Sequence, residues 1–415
     1  MSRPSAQTKR LQQIDGWVFP FVCACFTLWR RLVDLIFRPD TKSPPRGILF
    51  LKLAEQGSTV LANEAIRQAA AKVGRENVFF LMFEENRFIL DVMDVIPREN
   101  VLAIRTKSAV SMVASCLSRL WEIRRRKIDA CIDMEFFARS SAVIAYMTGA
   151  RIRVGFHCYF GEGPHRGNLF THRVLYNSHL HASKTFLTLV RALDNAPGDF
   201  PSFAFTPPAE MSLAHFQPGE GERAEVAAML RELAGADAGG RTRRIILLNA
   251  NASDLMPLRR WENDNYVMLA RLLLGTFPEV AIALTGAPSE APKVNQLVAE
   301  IDSPRCFSLA GRTTLRQLLI VYGLSEILVT NDSGPAHFAA LTPIDVVVLF
   351  GPETPLLFGT LSPRNHSIWL GLACSPCINA WNNRQTACTN NLCMKNISVA
   401  QVHDTVCTVF RQRIS

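Results

Sequence analysis

From Ile48 onward, short apolar runs alternate with longer stretches in which apolar residues recur every three to four positions. The runs Ile48–Leu53, Val78–Phe83, Val101–Arg105, Ile128–Met134 and Ile152–Phe156 are short and mostly apolar, Val78–Phe83 without a break. Apolar strands of this kind belong to parallel sheets covered on both faces. The periodic stretches Thr59–Lys72, Ala109–Arg124, Arg139–Thr148 and Ala182–Leu193 predict helices between and after them. The alternation stops at Ala196–Pro208, where five of thirteen residues are Pro or Gly, and reads as a linker. It resumes with strands at Arg244–Asn249, Val280–Thr285, Phe307–Ala310, Ile327–Thr330 and Val346–Phe350. The accompanying helices are predicted over Asp264–Leu274, Ser289–Ile301, Leu315–Tyr322 and Val399–Arg413. Two α/β domains with parallel, Rossmann-like sheets follow, at 48–195 and 243–398, with 196–242 as linker and connecting helix and 399–415 as a closing helix.

Two segments break this pattern. Residues 157–181 carry His157, His165, His172, His179 and His181 among glycines and aromatics, with no periodicity. The histidine spacing matches no standard zinc pattern, and a long loop of this kind shapes a binding site. Residues 1–47 hold an apolar stretch, Trp17–Trp29, interrupted by Pro20 and closed by Arg30-Arg31, ahead of a Pro44-Pro45 linker. Thirteen apolar residues are too few to span a bilayer, and no small-residue cleavage site follows as in a signal peptide. Two readings remain for it, a helix lying in a membrane interface and a helix packed on the protein's own surface.

Composition narrows these readings. At 415 residues with 48% hydrophobic and 20% charged residues, the chain is long and apolar enough for two packed domains rather than a disordered segment. The net charge is +9, and residues 1–47 hold eight Lys/Arg against three Asp, a surplus of five in a ninth of the chain. That local excess fits an anionic membrane surface met through residues 9–38. No helix-turn-helix or aromatic–basic sheet motif supports nucleic acid. Most of the eleven cysteines are scattered, as expected of reduced thiols in a cytosolic protein.

The densest candidate chemistry lies in Glu326–Pro355. A buried strand ends at Thr330, Asn331-Asp332-Ser333-Gly334 make a turn, and a short helix is predicted to open at Pro335, where a missing N–H costs nothing. Asp332 and Ser333 are N-capping types. Gly334 lets an anion approach the free N–H groups, and His337 lies in the first turn. A capped helix with a satisfied histidine remains the alternative reading.

The run Asp332-Ser333-Gly334-Pro335-Ala336-His337, then Ala339-Ala340 and Leu349-Phe350-Gly351-Pro352, resembles the hallmark of glycosyltransferase family 9, the ADP-heptose:lipopolysaccharide heptosyltransferases and their relatives. The resemblance extends from about Ile48 to the C-terminus. It implies the GT-B architecture, two Rossmann-like parallel-sheet domains facing a central cleft, with the last helix crossing back onto the first domain. It also implies a nucleotide diphosphate at Asp332, Ser333, Gly334 and His337, with Asp332 expected to cap the turn or orient its N–H groups. Asn251, Ser253 and Arg260 (before Trp261) match a family segment at the phosphates, where the family carries Lys. Gly286 ends a strand in the base-binding region, and Gly311 and Thr313 match the next characteristic segment.

Transfer also needs a base for the acceptor hydroxyl. The family places a Gly-Asp pair after the first strand, but here the pair is Gly57-Ser58, and a serine is no base at neutral pH. Glu55, three residues earlier in the same loop, is the candidate base, with Gly57, Ser58 and His181 expected near the acceptor. Cys374, Cys377, Cys388 and Cys393 could hold a structural zinc, remain reduced structural thiols or pair as a disulfide.

The resulting expectation is a metal-independent, inverting glycosyltransferase, peripheral on the inner face of the cytoplasmic membrane. It would take a nucleotide sugar such as ADP-heptose and a lipid-linked saccharide such as lipopolysaccharide core, with no further cofactor required for transfer. The alternatives are another nucleotide-sugar donor, a catalytically silent sugar-nucleotide or glycolipid-binding protein, and a Cys-rich metal or redox protein.

Overall fold

The computed structural model describes residues 14–37, 39–161, 163–252, 256–382 and 384–414. Two compact units make it up. One runs to Ser212 and includes Ile378–Thr386, and the other consists of Leu213–Cys377 and the chain from Ala387 onward.

The first unit is built on β1 (Ile48–Leu51), β2 (Val78–Phe83), β3 (Val101–Ile104), β4 (Ala130–Asp133), β5 (Ile152–His157) and β6 (His172–Leu175). They form one sheet in the order β3-β2-β1-β4-β5-β6, with every pairing parallel. The second unit repeats that order. Its strands are β7 (Arg244–Asn249), β8 (Val280–Leu284), β9 (Cys306–Ser308), β10 (Ile327–Asn331), β11 (Asp345–Phe350) and β12 (Asn365–Trp369), and β9-β8-β7-β10-β11-β12 is again fully parallel. In each sheet the strand order reverses at one point, between β1 and β4 and between β7 and β10. An open parallel sheet has its ligand crevice at that point, outside the carboxyl ends of the strands.

The apolar runs became strands because each central strand is covered on both sides. Ile48–Leu51 and Asp345–Phe350 are buried along their whole length. The two strands absent from the sequence reading, β6 and β12, lie at sheet edges and carry polar residues, HRVL and NHSIW. β6 lies inside the segment read as irregular. Its His172 is buried, with Nδ1 2.9 Å from the Thr171 hydroxyl and Nε2 3.1 Å from the Asn195 carbonyl. The helix expected over Thr59–Lys72 is two helices, Gln56–Leu61 and Asn63–Val73, meeting at Ala62.

The closing helix, Val399–Ile414, belongs to the second unit. Val402, Val406 and Phe410 are buried in the second unit's core, and Arg413 pairs with Glu326 at 2.7 Å and Asp345 at 2.6 Å. The segment that joins the first unit is Ile378–Thr386, where Trp381 stacks on Phe137 with ring centroids 4.8 Å apart.

Helix at residues 14–17 breaks in a turn at Val18, and a second helix runs over Phe19–Ile36 with Pro20 in its first turn. One face packs on the first unit. Cys23 is buried there, the Asn168 N–H donates to the Thr27 hydroxyl at 2.8 Å, and Arg30 donates to the Phe170 carbonyl at 3.1 Å. No helix of the described residues is long and apolar enough to cross a membrane. Of the eight basic residues counted in residues 1–47, Arg3, Lys9, Arg10 and Arg38 lie outside the described residues.

Candidate functional site

In the second unit the residues singled out by the sequence collect at the carboxyl ends of β7, β8, β9 and β10. The chain leaves β10 at Asn331 and enters the helix Gly334–Ala339, with Ser333 at its N-cap and Pro335 in its first turn. Ser333 does not cap through its side chain. Its hydroxyl donates to the Asn331 carbonyl at 3.0 Å, which tightens the turn. His337 is buried one turn in.

Asp332 does not cap the helix either. Its carboxylate faces the Arg259 Nε at 3.3 Å, and the same guanidinium donates to Glu353 at 2.8 Å. One buried cation therefore lies between two buried carboxylates and can neutralise only one. Burial works against the Arg259 charge, but Asp332 and Glu353 outweigh it and hold the cation above its ordinary range. Burial pushes both carboxyls up against the pull of Arg259, with Glu353 raised to about 7.

Asn331 ties the turn to the loop after β7. Its side chain accepts the Trp261 N–H at 3.0 Å and donates to the Asn251 carbonyl at 3.2 Å. Asn251 in turn donates to the Thr285 carbonyl at 3.3 Å, and Arg260 donates to the Ala252 carbonyl at 2.8 Å. Gly286 is needed for this closeness, since a Cβ there would meet the Asn251 amide nitrogen at 2.9 Å. The Gly311 N–H donates to the Gly286 carbonyl at 3.1 Å, and Gly311 holds φ +70°, a left-handed conformation that favours glycine. Thr313 is half-buried just before Thr314, which caps the helix Leu315–Gly323. Ser253 lies outside the described residues. Arg259, Asn331 and Glu353 were not selected as site residues. Nothing in local sequence links Arg259 to carboxylates 73 and 94 positions away.

The first unit has its own cluster, at the switch between β1 and β4. Glu55 follows β1 with φ 71°, in the left-handed region, and precedes the helix Gln56–Leu61, which carries Gly57 and Ser58. One Glu55 oxygen faces Lys52 Nζ at 3.3 Å and accepts the Ser58 hydroxyl at 3.3 Å. The other pairs with Arg384 from the Ile378–Thr386 segment. Lys52 is itself buried, and burial pulls its pKa down against the attraction of Glu135, 3.1 Å away. Glu135 also accepts the N–H groups of Leu53 at 2.7 Å and Ala54 at 3.2 Å, so its capacity is taken up. Beneath them Asp133 pairs with Arg166 in full burial, and burial lifts its carboxyl to about 6 despite that partner.

His181 plays a structural part. It stands at the N-cap of Ala182–Arg191, its Nδ1 accepting the Ser183 N–H at 3.3 Å. Lys52, Glu135 and Arg384 were missed because a lysine closing an apolar run and an arginine 329 residues after Glu55 give no periodic or motif signal. Among the described residues, no group of three or more His, Cys, Asp or Glu is placed to hold a metal ion. The candidate zinc set Cys374, Cys377, Cys388 and Cys393 gains no support from that arrangement. None of the four is in a disulfide, and burial, with Cys377, Cys388 and Cys374 nearby, raises Cys393 to about 11.

Two fully parallel, doubly wound sheets with their candidate sites at the switch points define the GT-B class of glycosyltransferase fold. The sequence model of glycosyltransferase family 9 (heptosyltransferase) matches residues 117–387, and the chain belongs to that family. It is 33% identical over 117 residues to lipopolysaccharide heptosyltransferase 2 of Salmonella typhimurium, covering 28% of this chain and 33% of that protein. To lipooligosaccharide heptosyltransferase 2 of Campylobacter jejuni it is 27% identical over 169 residues, 39% of this chain and 49% of the relative. The matches thus span about a third to a half of those relatives' length. Among solved structures, the E. coli ADP-heptose LPS heptosyltransferase II superposes over 89% of this chain and all of its own, with TM-score 0.66 and 19% identity. The E. coli heptosyltransferase WaaC with ADP covers 87% of this chain and 99% of its own at TM-score 0.59 and 15% identity. At these identities the superpositions show the fold.

Proposed function

We propose that the chain is an inverting, metal-independent glycosyltransferase that moves heptose from ADP-heptose onto a lipid-linked saccharide such as lipopolysaccharide core. The observation that carries this reading is the turn Asp332–Gly334 at the second sheet's switch point, tied through Asn331 to Asn251 and Trp261 and flanked by Arg259. The Ser333-Gly334 turn that opens Gly334–Ala339, with His337 behind it, suits the donor diphosphate. Asn251, Ser253, Arg260, Gly286, Gly311 and Thr313 surround the nucleotide in this reading. The Salmonella and Campylobacter relatives are named as heptosyltransferases of lipopolysaccharide and lipooligosaccharide, and solved relatives are named with ADP-heptose and ADP.

The domain spanning 48–195 takes the acceptor near Gly57, Ser58 and His181. Glu55 accepts the proton of the attacking hydroxyl. The hydroxyl oxygen forms the new bond to the anomeric carbon, the carbon–oxygen bond to the diphosphate breaks, and ADP leaves with the bonding pair. A single displacement inverts the anomeric centre. Glu55 is better suited than Glu135, since its side chain is 34% exposed against 16% and makes no bond to backbone N–H groups among those described. Arg384 must release Glu55 for this step. That pairing, together with serine in place of the family's aspartate, favours one second reading, a binding protein that holds the donor without turnover. The enzyme works in the cytoplasm, peripheral to the inner face of the cytoplasmic membrane.

The test is incubation with ADP-heptose and a heptose-deficient lipopolysaccharide, with the product read by mass spectrometry and its linkage by NMR. Transfer with the anomeric configuration inverted is expected. Donor binding without product would leave the silent reading standing, and a retained configuration would overturn the mechanism.

A further inference from the structure

The helix Phe19–Ile36 buries one face and leaves the other bare. Trp17 just before it is 86% exposed, Phe21 74% and Leu35 80%, with Trp29 also outward. A second helix, Ala109–Arg125, does the same. Its Val110, Val113, Leu117 and Trp121 recur at helical spacing, so they form a single stripe, and all four are exposed. A stripe at that spacing is ordinarily the face a helix buries. The inward sides of both helices enter the same buried cluster as Leu49, Leu51 and Leu81, through Cys23 and through Leu120 and Ile123. Both helices therefore cover the same face of the first sheet and turn their apolar stripes away from it.

The charges beside the stripes that take no ion pair among the described residues are basic. Arg31, Arg124, Arg125 and Lys127 are exposed and take no ion pair among the described residues, and Arg125 lies over the Trp121 ring at 5.2 Å. The nearby acids are engaged. Glu122 pairs with Arg119 and Arg126, Asp34 pairs with Arg30, and Asp15 accepts the N–H groups of Arg139 and Ser140. Apolar side chains with tryptophans and unpaired arginines match the headgroup region of an anionic bilayer, where rings and aliphatic chains enter the interface and cations meet phosphate. A protein partner with an acidic rim would match the charge but not the spread of large apolar groups over two separate helices.

We propose that Phe19–Ile36 and Ala109–Arg125 together form a docking surface for anionic lipid, with the second helix an equal contributor. The surface stands apart from the transfer chemistry and rests on the proposed function only for its purpose, keeping the enzyme beside an amphiphilic acceptor. The test is co-sedimentation of the full chain with phosphatidylcholine vesicles, with and without phosphatidylglycerol, without nucleotide sugar or saccharide. Binding is expected with phosphatidylglycerol and to weaken with salt. The pairs Phe21→Glu/Leu35→Glu and Leu117→Glu/Trp121→Glu are each expected to lower partitioning by at least about tenfold, with unchanged circular dichroism because the sites are exposed. Full retention of binding by the Leu117→Glu/Trp121→Glu variant would overturn the two-helix surface. A wild type that ignores vesicles but dimerises in sedimentation velocity, with both variants monomeric, would assign the stripes to a second copy and overturn it as well. Vesicle binding without turnover would keep this inference and count against the proposed reaction alone.

Discussion

Replacing Arg259 with Met removes the cation that pairs with both Asp332 and Glu353 while keeping most of the side-chain volume. Both carboxylates are buried, with side chains 5% and 1% exposed. Breaking a buried pair from one side costs roughly 3–5 kcal/mol, because the remaining charge stays desolvated. The carboxyls escape that cost by binding protons, so it grows with pH. Glu353 has its folded pKa raised from 4.5 to about 7. Its contribution to stability is therefore fully present below about 4.5 and lost as pH rises through about 7. Without Arg259 the folded value rises further and the loss deepens above neutrality. Hydrogen exchange of β10 and β11 peptides reports on the second unit alone. Arg259→Met should lose roughly 3–5 kcal/mol of protection near pH 8.5 and clearly less near pH 5.5. Adding Glu353→Gln should recover about 1–2 kcal/mol near pH 8.5, since one buried carboxylate is then left instead of two. A loss under about 1 kcal/mol at both pH values, or single-variant costs that simply add, would refute the shared-cation reading.

The same carboxyl links pH to the donor. An ADP-sugar keeps its diphosphate charge across neutrality, so its calorimetric affinity should fall as pH rises through about 7, where Glu353 ionises, and Glu353→Gln should flatten that dependence. Glu55→Gln should lower kcat by at least about 100-fold with donor affinity unchanged, in a single-turnover assay. Gly311→Ala should cost about 1–2 kcal/mol in the same exchange measurement, because φ +70° is strained for alanine and its Cβ meets the Pro288 Cα at 3.1 Å.

The parts of the fold legible in the sequence are those where one physical cause dominates. Central strands such as Val78–Phe83 and Arg244–Asn249 were delimited to the residue, because burial on both faces writes an unbroken apolar run. The edge strands β6 and β12 were not, because half of each faces away from the core and polar residues suffice. Pro20 marked a break, because proline is disfavoured in a helix interior but welcome in a first turn, and a new helix starts at Phe19 after the turn at Val18. The core joined by the closing helix was not legible, because an amphipathic pattern states that a face is buried and not against what. Within the site, the Asp332–His337 turn was readable because its residues are consecutive. Lys52, Glu135, Arg259 and Arg384 act through partners brought near by sheet order and loop return, and no local pattern announces such pairs.

The most direct test of the central claim is calorimetric titration of ADP, UDP, GDP and CMP into the full chain and into His337→Ala. Selective binding of ADP, weakened by the substitution, is the predicted result. No heat with any of the four nucleotides would contradict a donor site at the Asp332–His337 turn, and equal binding of ADP by both proteins would move that site elsewhere.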